Sequence, residues 1–170
     1  MRKVVVTDHN EKWPLMFAEE AAKLRGIFGS EITSIHHIGS TSVKGLKAKP
    51  IIDMMPLVKN IESVDSFNDA MKKIGYEAKG ENGIPGRRYF QKGGDTRTHH
   101  VHIFESGNHE GERHIAFRDY LRAHSDTAEK YGNLKESLAK RFPNDVEAYI
   151  KGKEQLVLEI ERQAITWYQA

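Results

Sequence analysis

The sequence predicts an α+β fold, a mixed or mostly antiparallel sheet with helices on one side and a helical C-terminal part. Three observations predict it. Five short strand-like runs lie between residues 31 and 105, the later ones parted by glycine-rich turns. The last of these runs alternates cleanly, with Val101 and Ile103 on one face and His100, His102 and Phe104 on the other. After Gly111 the apolar residues recur at helical spacing to the end. At 170 residues, with 38% hydrophobic and 29% charged, the chain suits one domain, residues 1–170, with a real core.

Element by element, Val4-Val5-Val6 reads as a short first strand or a lead-in. Trp13-Pro14 opens a helix, since proline is tolerated in a first turn. Phe17, Ala21, Leu24 and Phe28 mark its inner face, and Gly29 ends it. Glu31 to Ile38 is a strand; a turn with about one helical turn follows. Pro50 to Val58 is a buried-type strand. Val64, Phe67, Met71 and Ile74 form a second amphipathic helix ending at Gly75. Tyr76 to Ala78, Arg88 to Gln91 and His99 to Glu105 are further strands. Ile115, Tyr120 and Leu121 belong to one late helix, and Tyr131, Leu134 and Leu138 to the next. Val146, Ile150, Leu156, Val157, Ile160 and Ala164 define a long last helix after Pro143-Asn144-Asp145. Its Tyr149, Leu156 and Ile160 offer a homodimer surface, although covering the sheet is the simpler role for such a stripe.

Composition excludes several classes. No apolar run approaches the roughly 20 residues of a membrane span, and Met1 to Asp8 turns polar too early for a signal peptide. Absent cysteine removes disulfides and thiolate chemistry and agrees with a cytoplasmic location. A net charge of +2 argues against a dedicated nucleic-acid binder. Basic residues nevertheless gather at Lys44, Lys47 and Lys49, and again at Arg87, Arg88, Lys92 and Arg97, each time near a glycine turn. That pattern favours a small phosphorylated ligand as partner. Of nine histidines, His99, His100, His102, His109 and His114 fall close together, and imidazole is the usual neutral-pH acid, base and metal ligand.

Four segments carry candidate chemistry. In Gly39-Ser40-Thr41-Ser42 the glycine permits close backbone approach, while hydroxyls and N–H groups donate to phosphate oxygens; a simple Ser40 N-cap is the structural alternative. Asp53 interrupts the apolar run Pro50 to Pro56, where a carboxylate needs a charge partner, hydrogen bonds or a metal. Gly83-Ile84-Pro85-Gly86-Arg87-Arg88 is a tight loop delivering two guanidiniums, whose forks match phosphate or carboxylate, or an ordinary surface hairpin. His100 and His102 share a strand face, a spacing that permits joint metal ligation or anion binding. On the first late helix His114 and Arg118 stand one turn apart, lining a pocket or a solvated face, and Asp119 has Arg122 within reach. No Walker A, GxGxxG, HExxH or GxSxG pattern is present.

The order Gly39-Ser40, then Lys49-Pro50-Ile51-Ile52-Asp53, is similar to the nucleotidyltransferase superfamily signature, a Gly-Ser turn ahead of a strand with metal carboxylates. More closely, HIGSTSVKGLKAKPIID, GENGIPGRRYF, THHVHIF, HIAFRDYLRAH and RFPNDVEAYIKGKE together resemble the GrpB (UPF0157) family over essentially the whole chain. The resemblance implies a nucleotidyltransferase-like twisted mixed sheet with flanking helices. It makes Gly39 and Ser40 the phosphate-holding turn and Asp53 the first metal carboxylate. The superfamily's second acid falls where this chain has Met55, and methionine supplies no oxygen to Mg²⁺. That moves the missing ligands to His100 and His102, ahead of Glu105, which strand parity turns away. A divalent cofactor (Mg²⁺, Mn²⁺ or Zn²⁺) is implied, and one aspartate with two histidines suits Zn²⁺, Mn²⁺ or Fe²⁺ better than Mg²⁺.

Two functions remain in play. As an enzyme, the chain uses Asp53, His100 and His102 for a metal or acid/base work in phosphoryl or nucleotidyl transfer. Gly39, Ser40, Thr41, Lys49, Arg87, Arg88 and Arg118 then hold a nucleotide or other phosphorylated molecule. As a non-catalytic binder, it keeps the ligand site on a decayed transferase fold, a reading that Met55 motivates.

Overall fold

In the computed structural model, which describes residues 2–170, Val4 to Val6 are a lead-in, and the first pairing is a single bridge between Thr7 and Ala48. Pro14 sits in the first turn of α1 (Trp13–Phe28), which buries Trp13, Ala21, Leu24 and Phe28 as one stripe. Gly29 then turns the chain into β1 (Ile32–Ile38). A 3₁₀ turn at Ser40–Ser42 leads towards β2 (Ile52–Val58). The segment expected as one amphipathic helix opens instead as a 3₁₀ helix, Ile61–Phe67, and becomes α2 only at Asn68–Lys73. Asn60 caps it by accepting from Glu62 N–H. Three strands follow, β3 (Tyr76–Ala78), β4 (Arg88–Lys92) and β5 (His99–Glu105). The helical part is α3 (His109–Ala123), α4 (Ser125–Arg141) and α5 (Val146–Gln169).

The five strands make one twisted mixed sheet in the order β1-β2-β5-β4-β3. Only β2 and β5 run parallel; the other neighbours are antiparallel. One face, with Ile52, Met54, Val58, Phe90, Val101 and Ile103, packs against α1 and α2 through Leu24, Phe28 and Met71. A buried polar link ties this layer together: Glu20 of α1 accepts from Tyr76 Oη and from Lys92 Nζ, both at 2.8 Å. The opposite face buries Met55 and Phe104 with Ile38 and with Ile115 of α3. Helices therefore flank the sheet on both faces rather than one, because the C-terminal part folds back over the second face.

α5 does not lie flat on that face as a cover. It packs on α3 and α4, where Gly152 allows close approach to Leu138 of α4, and leaves open space between itself and β1 and β2. Tyr149 and Ile160, the alternative dimer surface in the sequence reading, are buried inside the chain. None of the described helices is long and apolar enough to cross a membrane.

Candidate anion and metal site

Strand register builds the centre. Asp53 on β2 pairs with Ile38 of β1 on one side and with His100 of β5 on the other, and Tyr89 of β4 pairs with His102. Period-two geometry then sets Asp53, His100 and His102 on the face opposite the α1 core. His102 Nε2 lies 3.1 Å and His100 Nδ1 3.5 Å from the same oxygen, Asp53 Oδ1. Tyr89 lies beside both imidazoles at ring distances of 5.7 and 5.3 Å. Burial pushes the Asp53 carboxyl up, but hydrogen bonds from His100 and His102 outweigh it and hold the group well below the usual carboxylate range.

The tautomer of His102 follows from its second partner. Arg87 Nη1 donates to Nδ1 at 3.3 Å, so the ring proton sits on Nε2 and is donated to Asp53. Arg87 itself is buried, with Nε and Nη2 donating to the carbonyls of Glu81 and Asn82. It staples the glycine-rich loop and orients His102. Arg88 points to the other side of the sheet and pairs with Asp65 at 2.8 Å.

The Gly39 turn meets Asp53 directly. Gly39 has φ +70°, and a Cβ there would stand 2.8 Å from Asp53 Oδ2, so both backbone conformation and space demand glycine. Ser40 lines the cavity beside Asp53. Thr41, by contrast, hydrogen-bonds His37 Nε2 at 2.9 Å, and the Ser42 hydroxyl donates to Gly39 O. The turn is braced from behind by α3: Arg118 donates to His37 O and Arg122 to Ser42 O. Arg118 also pairs with Asp119, which lies farther from Arg122. The structure thus brings Gly39, Ser40, Thr41, Lys49, Asp53, His100 and His102 together, with Arg87 bonded to His102 from behind, whereas Arg88 pairs across the sheet with Asp65 and Arg118 braces the back of the Gly39 turn.

Two cavities open from Asp53. One, about 330 Å³, joins Ser40, Lys49 and His100 to Lys135 of α4 and to Tyr149 and Lys153 of α5. The other, about 660 Å³, lies under α3 and α5 with Phe117, Tyr131, Ile150 and Val157 in its wall. His114 lines it too; burial first, then His102 and Arg113, push its imidazole down to about 3. Lys135, Tyr149 and Lys153 have no place in the sequence-derived site. The available signals were a lysine on the same stripe as Tyr131 and Leu138, and Tyr149 and Lys153 one turn apart.

The donor atoms of Asp53, His100 and His102 lie within 4.8 Å of one another, a carboxylate oxygen and two imidazole nitrogens that fit Zn²⁺ or Mn²⁺ better than Mg²⁺. Ligation through His102 Nε2 requires its proton to move to Nδ1, so Arg87 must release that nitrogen first.

A family model described as GrpB protein matches residues 3–163. UPF0157 protein YqkA of Bacillus subtilis is 53% identical over 166 residues, covering 98% of this chain and 48% of that protein. The chain thus spans about half the length of that relative. The crystal structure of conserved protein GrpB from Enterococcus faecalis superposes with a TM-score of 0.95 at 42% identity, covering 98% of this chain and 100% of that one. Cid1 in complex with the UTP analogue UMPNPP shares the fold, with a TM-score of 0.51 at 15% identity, over 79% of this chain and 43% of Cid1.

Proposed function

This chain belongs to the GrpB family, and from that membership and the site geometry we propose that it binds a nucleotide or other phosphorylated small molecule beside a divalent cation, in the cytoplasm, and transfers a phosphoryl or nucleotidyl group. The observation that carries the reading is the convergence of His100 and His102 on one oxygen of Asp53, against the Gly39 turn and at the mouth of both cavities. Solution of the fold relative Cid1 with a UTP analogue and with MgATP supports a nucleotide as ligand class. Asp53, His100 and His102 would hold the cation, which when bound neutralises phosphoryl oxygens and polarises the group under attack. Ser40 and the backbone beyond Gly39 orient the phosphate, and Lys49, half-buried beside Lys153 and lowered to about 8 chiefly by desolvation, adds positive charge.

A second reading, a binder without turnover, rests on Met55. Where the superfamily signature has a second acid, this side chain is fully buried between Ile38 and Phe104, leaving the site a single carboxylate.

The test is thermal stability and product analysis with ATP and Zn²⁺ or Mn²⁺, for the wild type and Asp53→Asn. Cation and nucleotide together should raise the melting temperature of the wild type beyond either alone, and Asp53→Asn should abolish that added shift. Metal-dependent product assigns transfer, whereas the shift without product assigns the binder. An equal shift in Asp53→Asn removes both readings.

A further inference from the structure

Among the described residues four buried side-chain polar atoms lack a hydrogen-bond partner, and three of them, His100 Nε2, Lys135 Nζ and Tyr149 Oη, belong to residues lining the 330 Å³ cavity. Folded proteins keep few such atoms, and a cation sealed from water without an acceptor is the costliest kind. Lys135 is 2% exposed, with the Tyr131 ring, 4.4 Å from Nζ, as its compensating neighbour. Lys49 and Lys153 likewise face an aromatic ring, that of Tyr149, at 5.0 and 5.3 Å. Three lysines, from the loop before β2, from α4 and from α5, therefore converge on one cavity. Asp53, the acid in its wall, already has His100 and His102 on Oδ1. Burial first, then repulsion among the three amines, lowers both Lys49 and Lys135, and an anion in the cavity would offset both causes.

Position supplies the ligand class. Ser40, Asp53 and His100 form the sheet wall, and Lys135, Tyr149 and Lys153 the helix wall opposite. One phosphoryl group at the Gly39 turn would leave the helix wall unmatched, whereas two or three in a row would engage both walls of a cavity whose volume equals roughly ten water molecules. Beyond Asp53 the larger cavity, with Phe117, Tyr131 and Val157, can house an organic group. Resting on the phosphorylated-ligand reading above, we propose that the Lys49–Lys135–Lys153 cavity is a polyphosphate subsite, which selects organic di- or triphosphates over monophosphates and inorganic phosphate.

Calorimetry on the full chain, in chelator without added metal, tests this with ATP, AMP, tripolyphosphate and orthophosphate. Wild type should bind ATP and tripolyphosphate at least tenfold tighter than AMP and orthophosphate. A tighter ATP than tripolyphosphate constant assigns the organic ligand, and the reverse order overturns that part in favour of inorganic polyphosphate. Lys135→Met should erase the tenfold preference while the ligand-free melting temperature stays the same or rises, because a sealed amine has been removed. Lys153→Met, at a more open position, should weaken triphosphate binding without touching the fold. If Lys135→Met and Lys153→Met keep the wild-type preference, or wild type binds AMP as tightly as ATP, the subsite is wrong. Should Asp53→Asn still abolish the cation-dependent shift in that event, the reading of the Asp53 centre survives alone. No binding of any probe, with or without Zn²⁺ or Mn²⁺, overturns both.

Discussion

Gly39 is the residue on which the site's geometry depends most directly. Its φ of +70° lies where L side chains are strained, and a methyl group there would press on Asp53 Oδ2. Gly39→Ala should lower unfolding stability by about 2 kcal/mol or more and displace the carboxylate. Urea unfolding measures the first effect, and loss of the cation-dependent melting shift the second. Gly45→Ala, at φ +83° in open space, is the control that carries the conformational strain without the clash. At this scale the sequence was informative wherever chemistry is local: Gly39, the lone acid Asp53 and the histidine pair are legible from residue type and strand parity. The tautomer of His102 was not, since it depends on Arg87, a side chain from the neighbouring strand's loop.

Among the elements, α1 is joined to β3 and β4 by a buried carboxylate. Glu20 is 4% exposed and takes hydrogen bonds from both Tyr76 and Lys92. Glu20→Ala should cost about 3 kcal/mol in urea denaturation, because it strands a lysine and a phenol with no acceptor. Glu20→Gln, which can still accept from Tyr76, should cost less. The strands Tyr76–Ala78 and His99–Glu105 were readable residue by residue, because alternation and flanking glycines are strong local signals. The 3₁₀ character of Ile61–Phe67 was not: over two turns, Val64, Phe67 and Met71 suit either helix, and the Asn60 cap tightens the start. Arg118 likewise was legible as a helix-face residue, while its role as a brace for His37 O required the docking of α3.

For the whole molecule, buried neutral histidines set the acid limit. His37, stacked on Phe17 and bonded to Thr41, is pushed down to about 4, chiefly by burial. The unfolded imidazole binds a proton near pH 6.5, whereas the native one resists until about pH 4. Protonation therefore favours the unfolded state, and stability should fall as pH drops from about 6.5 to 4, by up to about 1.4 kcal/mol per pH unit for such a group. His114 adds to the same slope, continuing to about pH 3. Urea titrations at stepped pH should show this slope in wild type and a shallower one in His37→Gln. By itself the sequence determined the sheet-and-helix plan, the two faces of β2 and β5, and the Gly39–Asp53–histidine centre, because strand period and backbone strain are properties of neighbouring residues. Only the tertiary structure decided that Arg88 turns away from Asp53 and that Lys135, Tyr149 and Lys153 line the cavity beside it. Those residues lie about 80 to 100 positions beyond Asp53. They meet the sheet only through the way α4 and α5 pack on α3, and no local periodicity encodes that packing.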